Sequence, residues 1–324
     1  MKICVVKTSS MGDVIHTLPA LTDAQNAIPD LEVDWVVEPA FAEIPKWHNA
    51  VRNVIPFSLR KWRKQLLTKQ TWQAWQAFKQ QLQAEPYDAV IDAQGLFKSA
   101  FFATRLANGV KYGYDKQSAR EGISAHFYDK TFAIAYQQHA VERIRQLFAQ
   151  SLGYALPKTI GDYGLQSHFA LFSQDLPPCN PYLLAIHATT RADKHWQEDS
   201  WLTLFQQLAE QDVCVRLPWG NEVEKARAER FASQAENVEV LPKLSLTELA
   251  GQIARAKAVV SVDTGLSHLT AALDKPNVIL YGATDPNLIG AYGKYQHYLT
   301  GKGMENITPS QVWEALQPLM FRGA

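Results

Sequence analysis

Short apolar runs alternate along the chain with longer amphipathic stretches, and the pattern is run through twice. Lys2 to Val6 reads as a strand; the polar turn Thr8-Ser9-Ser10-Met11-Gly12-Asp13 follows, and Val14, Leu18 and Leu21 open a helical stripe. Leu31 to Val37 predicts a second strand, Val51 to Ile55 a short third, and Ala89-Val90-Ile91 a later one after a polar helix ending near Glu85. Phe97 to Leu106 reads as a helix, Val110 to Tyr114 as a strand and Gln138 to Leu152 as a helix. Such alternation predicts a parallel sheet with helices on its faces.

Leu156 to Pro181 breaks the pattern: it holds Pro157, Pro177, Pro178 and Pro181, has weak periodicity, and reads as an interdomain linker. The count then restarts. Strands at Tyr182 to His187, Val213 to Leu217, Val238 to Val240, Ala258 to Val262 and Asn277 to Tyr281 are separated by helices at Trp201 to Glu210, Glu222 to Ala232, Leu246 to Ala254 and one opening near Leu266. The prediction is an α/β chain of two Rossmann-like domains, residues 1–170 including the linker and residues 171–324, facing a cleft where the strand ends bind ligands. A last helix, Pro309 to Met320, can stay with the second domain or pack back on the first.

Composition narrows the class. With 324 residues, 47% hydrophobic and 20% charged, the chain can bury two ordinary cores. Lys7 cuts the first apolar run too short for a signal peptide, and no apolar segment approaches the roughly 20 residues of a spanning helix, so neither export nor membrane spanning is expected. Cys4, Cys179 and Cys214 are scattered and form no C-x-x-C pair; the expectation is no disulfide framework, no zinc cluster and a reducing cytoplasm.

The 32 basic and 32 acidic side chains are unevenly spread: residues 1–170 carry 19 basic against 15 acidic, leaving 13 against 17 for the rest. No acid lies between Glu43 and Glu85, where Lys46, Arg52, Arg60, Lys61, Arg63, Lys64, Lys69 and Lys79 fall, so an anionic partner is favoured. Trp72, Trp75, Phe78 and Leu82 recur there at helical spacing. A basic stretch beside an aromatic face suits an anionic membrane surface or a lipid carrying acidic sugars; a solvated loop and a core-facing stripe is the plainer alternative. Confinement of this field to one loop argues against nucleic acid.

The candidate chemistry sits where strands end. Asp13 could accept a proton from a sugar hydroxyl as a general base, or merely cap the following helix. In His187-Ala188-Thr189-Thr190-Arg191-Ala192-Asp193-Lys194-His195-Trp196, the residues Thr189, Thr190 and Lys194 suit a diphosphate leaving group, though Lys194 could be a solvated loop lysine and His195-Trp196 surface packing. The strand Ala258 to Val262 runs through Asp263-Thr264-Gly265 into a helix marked by Leu266, Leu269 and Leu273. Thr264 can cap that helix, and the first-turn N–H groups at Gly265 and Leu266 make an anion site for phosphate, with His268 a phosphate contact at most. A carboxylate at Glu222 or Glu224 could bind ribose or simply favour a helix start. There is no D-x-D, G-x-G-x-x-G, Walker P-loop or H-E-x-x-H, so metal-free transfer is expected, with no cofactor.

Lys7 to Ala20, together with Ser261 to Ala272 and its continuation Asp274-Lys275-Pro276-Asn277-Val278-Ile279-Leu280-Tyr281-Gly282-Ala283-Thr284-Asp285-Pro286, resembles the ADP-heptose:lipopolysaccharide heptosyltransferases of glycosyltransferase family 9. The resemblance implies a GT-B-like fold and inverting transfer of L-glycero-D-manno-heptose from ADP-heptose to Kdo of Kdo2-lipid A, in the lipopolysaccharide inner core. It implies Asp13 as base, Lys194, Thr189 and Thr190 at the diphosphate, and Glu224 at the ribose. Asp263, Thr264, Gly265, Leu266 and His268 complete the donor site it implies, and Arg60, Lys61, Arg63, Lys64 and Arg120 meet the acceptor's carboxylates and phosphates. Where the family pattern has paired arginines, this chain has Arg60-Lys61, which keeps charge but weakens bidentate geometry. Such an enzyme would work peripherally at the cytoplasmic face of the inner membrane. The rivals are a sister heptosyltransferase acting on an already heptosylated core and a non-catalytic sugar-nucleotide-binding protein.

Overall fold

The computed structural model describes residues 1–65, 68–170, 181–282 and 285–321. The chain divides into two compact units, Met1–Gly164 and Leu165–Ala324, so the division falls inside the proline-rich segment. Pro177, Pro178, Cys179, Ala283 and Thr284 lie outside the described residues.

The first unit is built on a parallel six-stranded sheet: β1 (Lys2–Val6), β2 (Glu32–Val37), β3 (Val51–Pro56), β4 (Ala89–Asp92), β5 (Lys111–Tyr114) and β6 (Lys130–Phe132), in spatial order β3-β2-β1-β4-β5-β6. The second repeats it with β7 (Tyr182–Ile186), β8 (Cys214–Leu217), β9 (Val238–Val240), β10 (Ala258–Val262), β11 (Asn277–Tyr281) and β12 (Gln296–Thr300), in the order β12-β11-β10-β7-β8-β9. In each sheet the chain starts in the middle, builds one side and crosses back to build the other. The reversal between β1 and β4, and between β7 and β10, opens a crevice at the carboxyl ends of the strands.

The central strands are legible because helices cover both faces, so β10 and β11 are buried at every position and read as near-continuous apolar runs, with the buried Ser261 hydroxyl donating to the Asn277 side-chain oxygen at 3.0 Å. The outer strands β6 and β12 are absent from the sequence reading. Lys130-Thr131-Phe132 and Gln296-His297-Tyr298-Leu299-Thr300 lie at sheet edges, half-exposed or exposed throughout, and carry the polar residues that edges tolerate.

The last helix, Pro309–Phe321, belongs to the second unit's core: Val312, Leu316 and Met320 are buried there with Trp201, Leu204, Val260 and Leu280. Each such side chain contributes roughly 1.5–3 kcal/mol by leaving water. The predicted helix Phe97 to Leu106 is shorter, ending at Phe102 and followed by a 3-10 turn over Thr104–Leu106. No described helix is long and apolar enough to cross a membrane. Cys4 is a buried free thiol, whereas Cys214 is disulfide-bonded, so the cysteines do not by themselves support the expected reducing compartment.

Candidate active site

Asp13 sits in the short helix Met11–Ile15 beyond β1, its side chain about one-third exposed. Both readings of it are realised at once, by different oxygens. Oδ2 accepts from the Ser10 backbone N–H at 2.8 Å and the Ser10 hydroxyl at 3.1 Å, as a helix-start carboxylate does. Oδ1 lies 4.0 Å from the ammonium of Lys7, which is itself almost fully buried. Burial is the largest influence on the Asp13 carboxyl and pushes its pKa up, but Lys7, the two Ser10 hydrogen bonds and the Arg120 charge together outweigh it and hold the group below the usual carboxylate range.

The loop that carries this carboxylate is braced by the one after β4, across the reversal in strand order. Lys7 Nζ donates to the Ala93 carbonyl at 2.8 Å. The Gln94 side-chain oxygen accepts from Thr8 N at 2.8 Å, Ser9 N at 3.1 Å and the Thr8 hydroxyl at 3.2 Å. Gln94 is placed in turn by Asp92, which is fully buried and accepts from Gln94 N at 2.9 Å, Gly95 N at 3.1 Å, Thr104 Oγ1 at 2.8 Å and Ser99 Oγ. Gly95 takes φ +65°, a left-handed turn that an L side chain disfavours. Burial raises the Asp92 pKa despite these donors.

Around this loop the structure gathers some of the expected cations and leaves others out. Arg120 is close enough to act on both Lys7 and Asp13. Arg60 pairs at 3.0 Å with Glu38, whose own backbone N–H donates to the Thr8 carbonyl at 3.0 Å. Burial pushes the Glu38 pKa up, against the lowering pull of Arg60 and Lys98. Arg63 and Lys64 stay exposed on the helix Leu59–Lys64, while Lys61 lines a groove with Trp62, Ala74, Ala77 and Phe78. The aromatic stripe divides: Phe78 and Leu82 are core, Trp75 packs partly buried against them, and Trp72 is 61% exposed.

In the second unit the loop after β7 meets the loop after β10, again across the strand-order reversal. Lys194 Nζ pairs closely with Asp263 Oδ2, both side chains largely buried. Thr189 Oγ1 donates to the Asp263 carbonyl at 3.5 Å, and Thr190 is exposed. Thr264 stands at the N-cap of the helix Gly265–Ala272, but its side chain makes no capping bond, contrary to expectation; its carbonyl instead accepts from Ser267 N at 3.0 Å and Ser267 Oγ at 2.7 Å. Gly265 and Leu266 form the half-exposed first turn, whose N–H groups have no intrahelical acceptor, and His268 is buried one turn further on.

Glu224 and Glu222 are separated by the structure. Glu222 is exposed, whereas Glu224 folds back so that Oε2 accepts from Gly220 N at 2.7 Å and Oε1 from the Asn221 amide at 2.8 Å. Asn221 caps the helix Glu222–Ala232. His195-Trp196 is not surface packing: Trp196 is buried, with Nε1 donating to the Ile307 carbonyl at 2.8 Å, and His195 Nε2 lies 2.8 Å from the Thr189 carbonyl. Sequence reasoning missed Lys7 and Gln94, which hold the loop that carries Asp13. Lys7 stood in a quoted motif, and its position at the end of an apolar strand was the available signal.

Two doubly wound parallel sheets in one chain, each with acid and cation brought together at its strand-order reversal, define a GT-B-like glycosyltransferase. The chain belongs to glycosyltransferase family 9, the heptosyltransferases, whose family model matches residues 75–312. Lipopolysaccharide heptosyltransferase 1 of Escherichia coli K12 is 54% identical over 98% of this chain and 100% of its own length. The solved structure of E. coli heptosyltransferase WaaC with ADP is 53% identical, covers 98% of this chain and 100% of its own, and superposes with a TM-score of 0.95. The same E. coli protein with ADP-2-deoxy-2-fluoro heptose gives 52% identity, coverage of 98% and 99%, and a TM-score of 0.92.

Proposed function

We propose that this enzyme transfers L-glycero-D-manno-heptose from ADP-heptose to a Kdo hydroxyl of Kdo2-lipid A, in one inverting step that needs no metal. The observation that carries the reading is the Lys194–Asp263 pair at the start of the helix Gly265–Ala272. It offers a cation and backbone donors for a diphosphate beside a carboxylate for sugar hydroxyls. The ligands named for the E. coli relative, ADP and a fluorinated ADP-heptose, support the same donor.

Asp13 takes the proton from the attacking Kdo hydroxyl, whose oxygen bonds to the anomeric carbon of heptose. The bond from that carbon to the β-phosphate oxygen breaks, and the electron pair leaves with ADP. Lys194, the Thr189 and Thr190 hydroxyls and the Gly265–Leu266 backbone donors take up the charge that grows on the diphosphate. With a single displacement the configuration inverts, and with an ammonium and backbone N–H groups at the leaving group no divalent ion is required. Glu224 is assigned to the ribose, being the half-buried carboxylate turned toward the loop after β8.

Arg60, Lys61, Arg63, Lys64 and Arg120 attract the acceptor's carboxylates and phosphates, and exposed Trp72 beside this cationic helix suits a peripheral hold on an anionic cytoplasmic membrane face. The test is to offer ADP-heptose with either Kdo2-lipid A or an already heptosylated core, and to read product mass and anomeric configuration. One heptose added to Kdo2-lipid A with inversion is expected. Transfer only to the heptosylated core would assign the sister reaction, and no transfer to either would leave a sugar-nucleotide-binding protein.

A further inference from the structure

One buried guanidinium holds both ends of the loop that carries Lys194. Arg227, on the helix Glu222–Ala232, is 8% exposed. Its Nη1 donates to the His187 carbonyl at 3.1 Å, where the loop leaves β7, and its Nη2 donates to the Trp196 carbonyl at 2.7 Å, just ahead of the helix Glu198–Ala209. Nη1 also makes a close contact to His195 Nδ1, and Nε lies 3.3 Å from Glu198 Oε1. Because a guanidinium only donates, His195 Nδ1 must accept. On the other side of the ring, His195 Nε2 lies 2.8 Å from the Thr189 carbonyl. The constraint thus runs from Arg227 through His195 to the middle of the loop, and Thr189 reaches Asp263 from there.

We propose that Arg227, acting through His195, is the positioning residue that fixes the Thr189–Lys194 loop for the donor diphosphate. This rests on the assignment of the second unit to ADP-heptose. A buried arginine is a costly way to fill space, since an apolar side chain would pack against neighbouring Phe231 without burying a charge. What the guanidinium supplies is a rigid fork that matches two carbonyls at opposite ends of one loop.

The experiment is calorimetric titration of ADP into the full-length protein, with donor and acceptor KM measured in parallel, for wild type, Arg227→Met, Arg227→Lys, His195→Ala and Lys194→Ala. Arg227→Met should weaken ADP and raise donor KM by about tenfold, the worth of hydrogen bonds from a charged group, and leave acceptor KM unchanged. Arg227→Lys should fall between, and millimolar guanidinium should restore part of the affinity of Arg227→Met. His195→Ala, a milder change at a half-buried position, should weaken ADP in the same direction and keeps the test alive if Arg227→Met does not fold. A lowered Tm with ADP affinity and donor KM unchanged in both Arg227→Met and His195→Ala would overturn the proposal and leave Arg227 a packing residue. Should Lys194→Ala also leave ADP affinity untouched, the donor assignment itself fails.

Discussion

The two crevices use the same pair of charges with different exposures. At the β1/β4 reversal the cation is inside and the acid outside: Lys7 is 7% exposed and Asp13 is 34% exposed. At the β7/β10 reversal Lys194 and Asp263 are sequestered alike, at 15% and 11%, and in close contact. A buried ammonium 4.0 Å from a reachable carboxylate keeps that carboxylate ionised yet accessible, which suits proton uptake. A tight, half-hidden pair instead stores an ammonium beside its counter-ion until a more strongly charged anion competes for it, which suits a diphosphate. One topology thus presents two arrangements of the pair, an acid left partly open beside a buried cation and a pair sequestered together.

The sharpest way to break the comparison is to remove the second cation. Lys194→Ala should cost about a thousandfold in kcat/KM for the donor, the scale of losing a transition-state charge partner, while acceptor KM stays put; steady-state ADP release reads both.

Removing the first cation should act differently. Lys7→Met deletes the strongest of the influences that lower the Asp13 pKa, so that pKa rises. On the proposed mechanism, wild-type activity should fall as pH drops through the depressed Asp13 value and the carboxylate protonates. In Lys7→Met the acid limb of the kcat/KM profile should therefore move to higher pH, with ADP affinity unchanged; an unmoved limb would uncouple Lys7 from the base.

Gln94→Ala takes away the acceptor for Thr8 and Ser9 without touching either charge. It should lower kcat by about tenfold, the penalty of leaving buried donors unmatched, with little change in either KM. Smallest of all, Arg60→Ala should raise acceptor KM only about threefold, because its ion pair with Glu38 is largely solvent-exposed on the arginine side.

Much of this frame was legible in the sequence because a parallel strand covered on both faces is nearly apolar throughout. Ala258–Val262 and Asn277–Tyr281 announce themselves that way. The edge strands Lys130–Phe132 and Gln296–Thr300 did not, since half-solvated backbone tolerates polar residues that read as loop. Asp13, Lys194 and Asp263 stood at strand ends, where position alone nominates a residue. Gln94 and Arg227 act through backbone atoms far away in sequence: Gln94 on Thr8 and Ser9, Arg227 on His187 and Trp196. No local spacing encodes such partners; only the crossover that brings β4 beside β1, and the helix after β8 beneath the β7 loop, creates them. Thr264 shows the opposite failure, a residue of the right type at the N-cap whose side chain makes no cap.

The central claim is that the partly exposed Asp13 carboxylate of the first unit moves the proton while the second unit holds the donor. Heptose transfer to Kdo2-lipid A in EDTA, followed by product mass spectrometry for wild type and Asp13→Asn, tests it most directly, with ADP affinity measured on the same samples. The account predicts full transfer by wild type, a loss of about a thousandfold in Asp13→Asn, and equal ADP affinity in both. Transfer by Asp13→Asn within a few-fold of wild type would contradict it and reduce Asp13 to the helix-start carboxylate that its Ser10 hydrogen bonds already describe.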